Sequence, residues 1–199
     1  MDLRPMKSLV LMIAVLPLAA FAQDHGHGGS SAPYAGFETR EIKSLSDQDI
    51  EELRRGGGWG LALPAELNGR PGPAHLLELE EELDLSASQV EAISAIYEQM
   101  RADAVAAGER FIAAEAAVSD AFAGFDLSEE RLRDLLAEAA EARAELRFIH
   151  LSRHLSTPEL LSDAQIQRYN VLRGYADDPC ETVPDGHDPE MWRRHNGCG

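Results

Sequence analysis

"SASQVEAISAIYEQMRADAVAAGERFIAAEAAVSDAFAG", residues 86–124, decides the fold class. Val90, Tyr97, Ala104, Phe111 and Val118 recur at every seventh position, and Ile93, Met100, Ala107, Ala114 and Ala121 keep the same step. Apolar residues at that spacing line one face of an α-helix, and a seam of about five heptads calls for a partner helix. Ser86 is a good N-cap, because its hydroxyl accepts from an amide left orphaned at the helix start, and Gln89 completes a capping box. Gly124 is a favoured residue just beyond a helix end. The stretch predicts one helix from Ser86 to about Ala123.

The same start signal appears four times, in "LSDQDI" (45–50), "LSASQV" (85–90), "LSEERL" (127–132) and "LSDAQI" (161–166), which argues against chance. Each leading Leu can staple to the apolar residue that ends its hexapeptide. Ser162 and Gln165 form a second capping box, whereas Arg131 leaves the box after Ser128 incomplete. From Ser128, Leu132, Leu135, Ala139, Ala142, Leu146 and Ile149 follow helical spacing; the helix ends near Thr157, because Pro158 disfavours a helical residue before it. A short helix from Ser162 to about Arg173 turns Ile166, Tyr169 and Leu172 inward. Pro73 opens an earlier helix with His75, Leu76, Leu79 and Leu83 on its apolar edge. Residues 55–72, "RGGGWGLALPAELNGRPG", read as an irregular connector with one helical turn, since the glycines lack phosphate-cradling spacing. No segment alternates as a strand does. The expected architecture is all-α, a hooked antiparallel helical hairpin with short flanking helices, and the heptad stripe suits an intramolecular pair or a homodimer seam equally.

Domain organisation follows the composition. Arg4 and Lys7, the apolar run "LVLMIAVLPLAAF" (9–21) and the triplet Ala20-Phe21-Ala22 read as a secretory signal peptide (1–22), cleaved after Ala22 for export to the periplasm. A disordered leader (23–40), a short helix and connector (41–72), the helical domain (73–175) and a tail (176–199) follow. The formal charge is −17, which repels nucleic acid and anionic lipid and suits cations or basic partners. No later stretch is apolar enough to insert in a membrane once the signal is removed. The acidic runs 80–82 and 129–130 fall on solvated faces or helix starts, and no nucleophile motif is present, so no enzyme is expected.

The candidate chemistry lies in "FIHLSRHL" (148–155). His150 and His154 are one turn apart, their Cβ atoms about 6 Å from each other, so both imidazoles can reach one ion at about 2 Å. With a turn near residue 125, partner positions on the two long helices sum to roughly 250, which puts His150 beside Met100 and His154 beside Ile96. A second turn near residue 85 brings His75 to the level of His154. Met100, Glu98 or Glu91 completes a site, a thioether for Cu(I) and a carboxylate for Zn, Co or Ni. The alternative is a pair of polar residues at a helix end, with His154 favoured by the negative terminus.

The signal peptide, the repeated Leu-Ser-x-x-Gln starts, the hooked helix pair and the late histidine pair together resemble the Spy/CpxP group of periplasmic proteins over residues 73–175. That group includes refolding chaperones and heavy-metal-resistance sensors similar to a cobalt–nickel sensor ectodomain. The resemblance implies ligands from a first-helix histidine, matched by His75, and from an H-x-x-x-H pair, matched by His150 and His154; the second first-helix histidine has no counterpart here. It implies a dimeric cradle with a basic concave face for the chaperone branch, from which the acidic charge departs. Two functions follow. One is a metal-binding protein that senses or buffers Zn, Ni, Co or Cu and signals to a membrane-bound sensor or regulator. The other is a stress chaperone or adaptor that holds unfolded clients.

The two ends carry separate signals. A mature start "QDHGHGG" places His25 third, an arrangement that chelates Cu(II) or Ni(II) through backbone nitrogens unless Gln23 cyclises. Cys180 and Cys198 most simply form a disulfide in an oxidising compartment, closing a loop of about 19 residues for about 3 kcal/mol. A zinc set of Cys180, His187, His195 and Cys198 ranks below it. Trp192 packs on the bundle or stays within the tail.

Overall fold

The structure, a computed structural model, describes residues 32–196 and 198, so the stretch expected to be a signal peptide (1–22) and His25 lie outside the described residues. A 3-10 turn at Phe37–Thr39, inside the span expected to be a disordered leader, precedes α1 (Asp47–Arg54), α2 (Leu63–Glu66), α3 (Pro73–Glu78), α4 (Ala87–Ala123) and α5 (Glu129–Ser156). A second 3-10 turn (Thr157–Leu160), α6 (Asp163–Leu172) and α7 (Pro189–His195) complete the order, and the described residues contain no strand.

The caps behave as their chemistry requires. Ser86 and Ser162 accept from the amides of Gln89 and Gln165, whose side chains bond back to the serine amides. Ser128 accepts from the Arg131 amide, and its box stays incomplete. Ser46 has a full box too, with the shorter Asp49 as its third residue. Gly124 follows α4 as expected but is extended, with φ −84° and ψ 169°, so its place needs no left-handed geometry. α3 is shorter than the apolar edge suggested. It ends at Glu78, and the chain turns through Asp84 at φ 47°, a conformation that Asp tolerates better than most residues. That turn sends Leu83 into the core beside Leu76.

α4 and α5 run antiparallel, as the ion pairs Arg110–Glu145 (2.7 Å) and Asp103–Arg153 (2.9 Å) show. Both pairs sum to slightly more than the expected register, because the connecting turn spans residues 124–128 and centres beyond 125. The heptad stripe is buried within the one chain from Ile93 through Met100, Ala104 and Ala107 to Phe111. Two apolar clusters divide it. The first joins Ile42, Leu45, Ile50, Leu53 and Leu61 to Ala104, Ala107, Phe111, Ile112 and Leu146. The second joins Leu76 and Leu83 to Ile93 and Tyr169. No helix among the described residues is long and apolar enough to cross a membrane.

The connector proves to be part of the packed structure, here called the strap. Trp59 lies 5.6 Å from the Phe111 ring, and its indole N–H donates to Asp49. Two glycines let backbones meet at the end of α1. A Cβ on Gly108 of α4 would lie 2.7 Å from the Leu53 carbonyl oxygen, and one on Gly56, at φ 73°, 2.8 Å from that of Arg101. The strap reaches α3 through Pro71, Gly72 and Pro73, all buried.

In the tail, Cys180 and Cys198 form a disulfide with their Cα atoms 5.5 Å apart, so the four-ligand zinc set is not formed. Trp192 stays within the tail: its indole donates to the Pro179 carbonyl, and His187 meets its ring edge-on at 4.9 Å. Sequence reasoning missed α7, although Asp188 before Pro189 is an N-cap followed by a proline suited to the first turn.

Candidate functional site

The last turns of α5 present His150 and His154 on a buried face, at 3% and 5% exposure. The strap, α3 and α6 close over that face, and their polar groups converge on Glu66, itself only 7% exposed. A buried carboxylate is costly unless its oxygens are hydrogen-bonded, and here both are. The Tyr169 hydroxyl donates to Oε2 at 2.6 Å, and His75 donates from Nδ1 to Oε1 at 3.1 Å. His154 Nε2 stands 3.8 Å from the same Oε1.

The partners orient both rings. A carbonyl oxygen only accepts, so His154 Nδ1, 2.8 Å from the Arg70 carbonyl, carries a hydrogen, and Nε2 is the nitrogen turned toward Glu66. A guanidinium only donates, so His75 Nε2, 3.4 Å from Arg173 Nη2, accepts, and Nδ1 carries the hydrogen given to Glu66. Gly72 fits against the His154 ring, where a Cβ would lie 2.4 Å from Cε1. His150 Nε2 is buried and has no hydrogen-bond partner among the described residues.

The electrostatics follow the contacts. Burial alone would raise the Glu66 carboxyl, but hydrogen bonds from His75 and Tyr169 and the charge of the neighbouring imidazoles hold it below its ordinary value of 4.5. Burial, and then His154, push His150 below its ordinary 6.5, while Glu52 opposes them. Burial and the Glu66 carboxylate raise the Tyr169 phenol.

A cavity of about 360 Å³ opens on this cluster, and His75, His150, His154, Met100 and Glu66 all line it. The three histidines and Met100 named from the sequence therefore meet in one place. Glu91 and Glu98 do not join them. Both are exposed, and Glu98, two residues before Met100 and so on another face of α4, lines a separate groove with Leu77 and Arg101. Among the described residues no three His, Cys, Asp or Glu side chains stand close enough together to hold a metal ion as they are. Glu66 was missed because it lies in a segment read as irregular. The signal was one acidic residue inside the otherwise apolar run "LALPAEL", whose Leu61 and Ala65 are buried.

Among protein-family models, curated proteins and solved structures, none matches this chain.

Proposed function

We propose that this chain is an exported metal-binding protein with the hooked four-helix architecture of the Spy/CpxP heavy-metal-resistance type, sensing or buffering a divalent transition metal. One observation carries the reading: His154 gives its Nδ1 hydrogen to the Arg70 carbonyl and turns Nε2 toward a Glu66 carboxylate oxygen 3.8 Å away, so a nitrogen and a carboxylate that can both ligate an ion stand side by side. Two such groups so placed favour a cation. The unpartnered His150 Nε2 lines the same cavity and would have to draw closer to the pair to supply a third donor atom. Two imidazoles and a carboxylate suit Zn, Co or Ni, and the Met100 thioether would extend the set toward copper. In this arrangement Tyr169 and His75 orient the carboxylate, and the Arg70 carbonyl holds His154 in the tautomer that exposes Nε2. His75, expected as a third ligand, has its Nδ1 hydrogen committed to Glu66 and serves as a positioning residue. A bound ion would tie α2 to α5, and a second subunit or a membrane-bound regulator would read that closure.

The test is a thermal melt with and without Zn, Ni, Co and Cu on the wild type, on His150→Ala/His154→Ala and on Glu66→Gln. A ligand that binds only the folded state at about a hundred times its Kd adds about 2.7 kcal/mol, so a metal-specific rise lost in the double variant is expected. No rise with any of the four ions would sink the reading.

A second reading, a stress chaperone or adaptor, has one observation in its favour. Leu136, Phe148 and Leu155 of α5 expose large apolar side chains, a surface suited to unfolded segments. Suppression of client aggregation that a chelator leaves unchanged would support it.

A further inference from the structure

The cavity exceeds what an ion needs, and its chemistry is not only that of a metal site. A water molecule takes about 30 Å³ of liquid, so about 360 Å³ admits a small organic molecule. Trp59, Leu63, Tyr97, Met100 and Pro73 give it carbon walls. Besides its histidines, its charge-bearing side chains are acidic: Glu52 and Glu66 line it, and neither Lys nor Arg is among the lining residues described. Glu66 has both oxygens engaged by Tyr169 and His75. Glu52 does not. One of its oxygens accepts from the Trp59 amide at 2.9 Å, and the other has no hydrogen-bond partner among the described residues. That oxygen is open to solvent, whereas His150 Nε2, on a residue only 3% exposed, is buried without a partner.

A half-open, largely apolar cavity with a carboxylate oxygen left without a protein partner, an unpartnered buried imidazole nitrogen and no Lys or Arg among its described lining residues selects a hydrogen-bond donor that is positively charged and carries a carbon body. We propose that this cavity binds a small alkyl- or arylammonium ion, its ammonium held by Glu52 and His150 Nε2 and its carbon body against Trp59 and Tyr97. The Tyr97 ring suits such a cation doubly, since its quadrupole attracts positive charge, whereas Trp59 already has the Arg143 guanidinium 5.4 Å over its ring and serves as a carbon wall. The assignment goes beyond the metal reading, because it relies on Glu52, which has no place in the proposed ligand set.

Calorimetry and thermal melts of the full-length protein at pH 7.5 test it, with phenethylamine and hexylamine as probes and phenethyl alcohol and hexanol as uncharged controls. Both amines raise the melting temperature and the alcohols do not. Glu52→Gln, which keeps the oxygen used by the Trp59 amide, weakens amine binding at least tenfold (about 1.4 kcal/mol) and leaves any response to zinc unchanged. Equal stabilisation by the alcohols, no binding of either amine, or unaltered binding in Glu52→Gln would overturn the proposal. Nα-acetyl-lysine amide is a third probe, and its binding in place of both amines would overturn the small-amine assignment in favour of a protein lysine. Zinc binding without amine binding sinks this proposal alone; amine binding without any metal response sinks only the metal reading.

Discussion

The cluster around Leu53 and Phe111 and the cluster around Glu66 share the same long helices, yet different physics holds each of them. The first is aliphatic and aromatic, and its stability comes from carbon removed from water. The second surrounds a carboxylate with a phenol and two imidazoles, drawn from α2, α3, α5 and α6, and depends on every hydrogen bond being made. The difference teaches where sensitivity to solution conditions resides. A carbon cluster is indifferent to protons and cations, whereas the polar cluster answers to both.

Deleting core carbon should have the largest effect. Leu53→Ala is expected to lower stability by about 2–5 kcal/mol, by the same amount at pH 8 and pH 5.5, in urea unfolding. A loss that varied with pH would break the contrast. Next comes Tyr169→Phe, which removes a hydrogen bond to a charged group and should cost about 1.5–3 kcal/mol near neutrality. If it cost less than a surface substitution, Glu66 would not be the anchor of its cluster.

The pH dependence sharpens the same comparison at smaller amplitude. His150 has a depressed folded-state pKa, so the unfolded chain takes up its proton first, and stability falls as pH drops below about 6.5. Glu66 is also depressed; its contribution is present above about 4.5 and lost as pH falls through its folded value. Denaturation of metal-free protein in chelator should therefore show two acid steps, and His150→Leu should remove the upper one. An upper step that survives in His150→Leu would assign it elsewhere. The smallest effect is expected at Glu98→Gln, with stability within about 0.5 kcal/mol of wild type and no change in response to metal. A lost metal response there would move the site to the other face of α4.

Legibility in the sequence followed the range of the interaction. Ser46, Ser86, Ser128 and Ser162 cap their helices through amides three residues away, so the starts of α1, α4, α5 and α6 could be read from hexapeptides. The seam on α4 was readable because a period needs only its own helix. The meeting of His75, His150 and His154 followed from two turns and a register. Glu66 was beyond that reach, since its role depends on Tyr169, 103 residues away, and on a strap whose irregular backbone has no period to read. Asp49 does not fit the Glu or Gln pattern of a capping box, yet its shorter carboxylate reaches the Ser46 amide at 2.8 Å.

The crossing of α1 over α4 has a mechanical consequence. Gly108 receives the Leu53 carbonyl, and Gly56 lies against that of Arg101, so peptide planes touch at two points less than two turns apart on α4. Such a joint works like a pin in a notch: travel along α4 would drive a carbonyl into a side chain, and the second contact resists rotation about the first. The strap that leaves this joint and roofs the cavity thus starts from a fixed point at residues 53–56. At its far end Glu66 is bonded to Tyr169 and His75, so the strap is held at both ends and the distance from Glu66 to His154 is set by the packing of four helices.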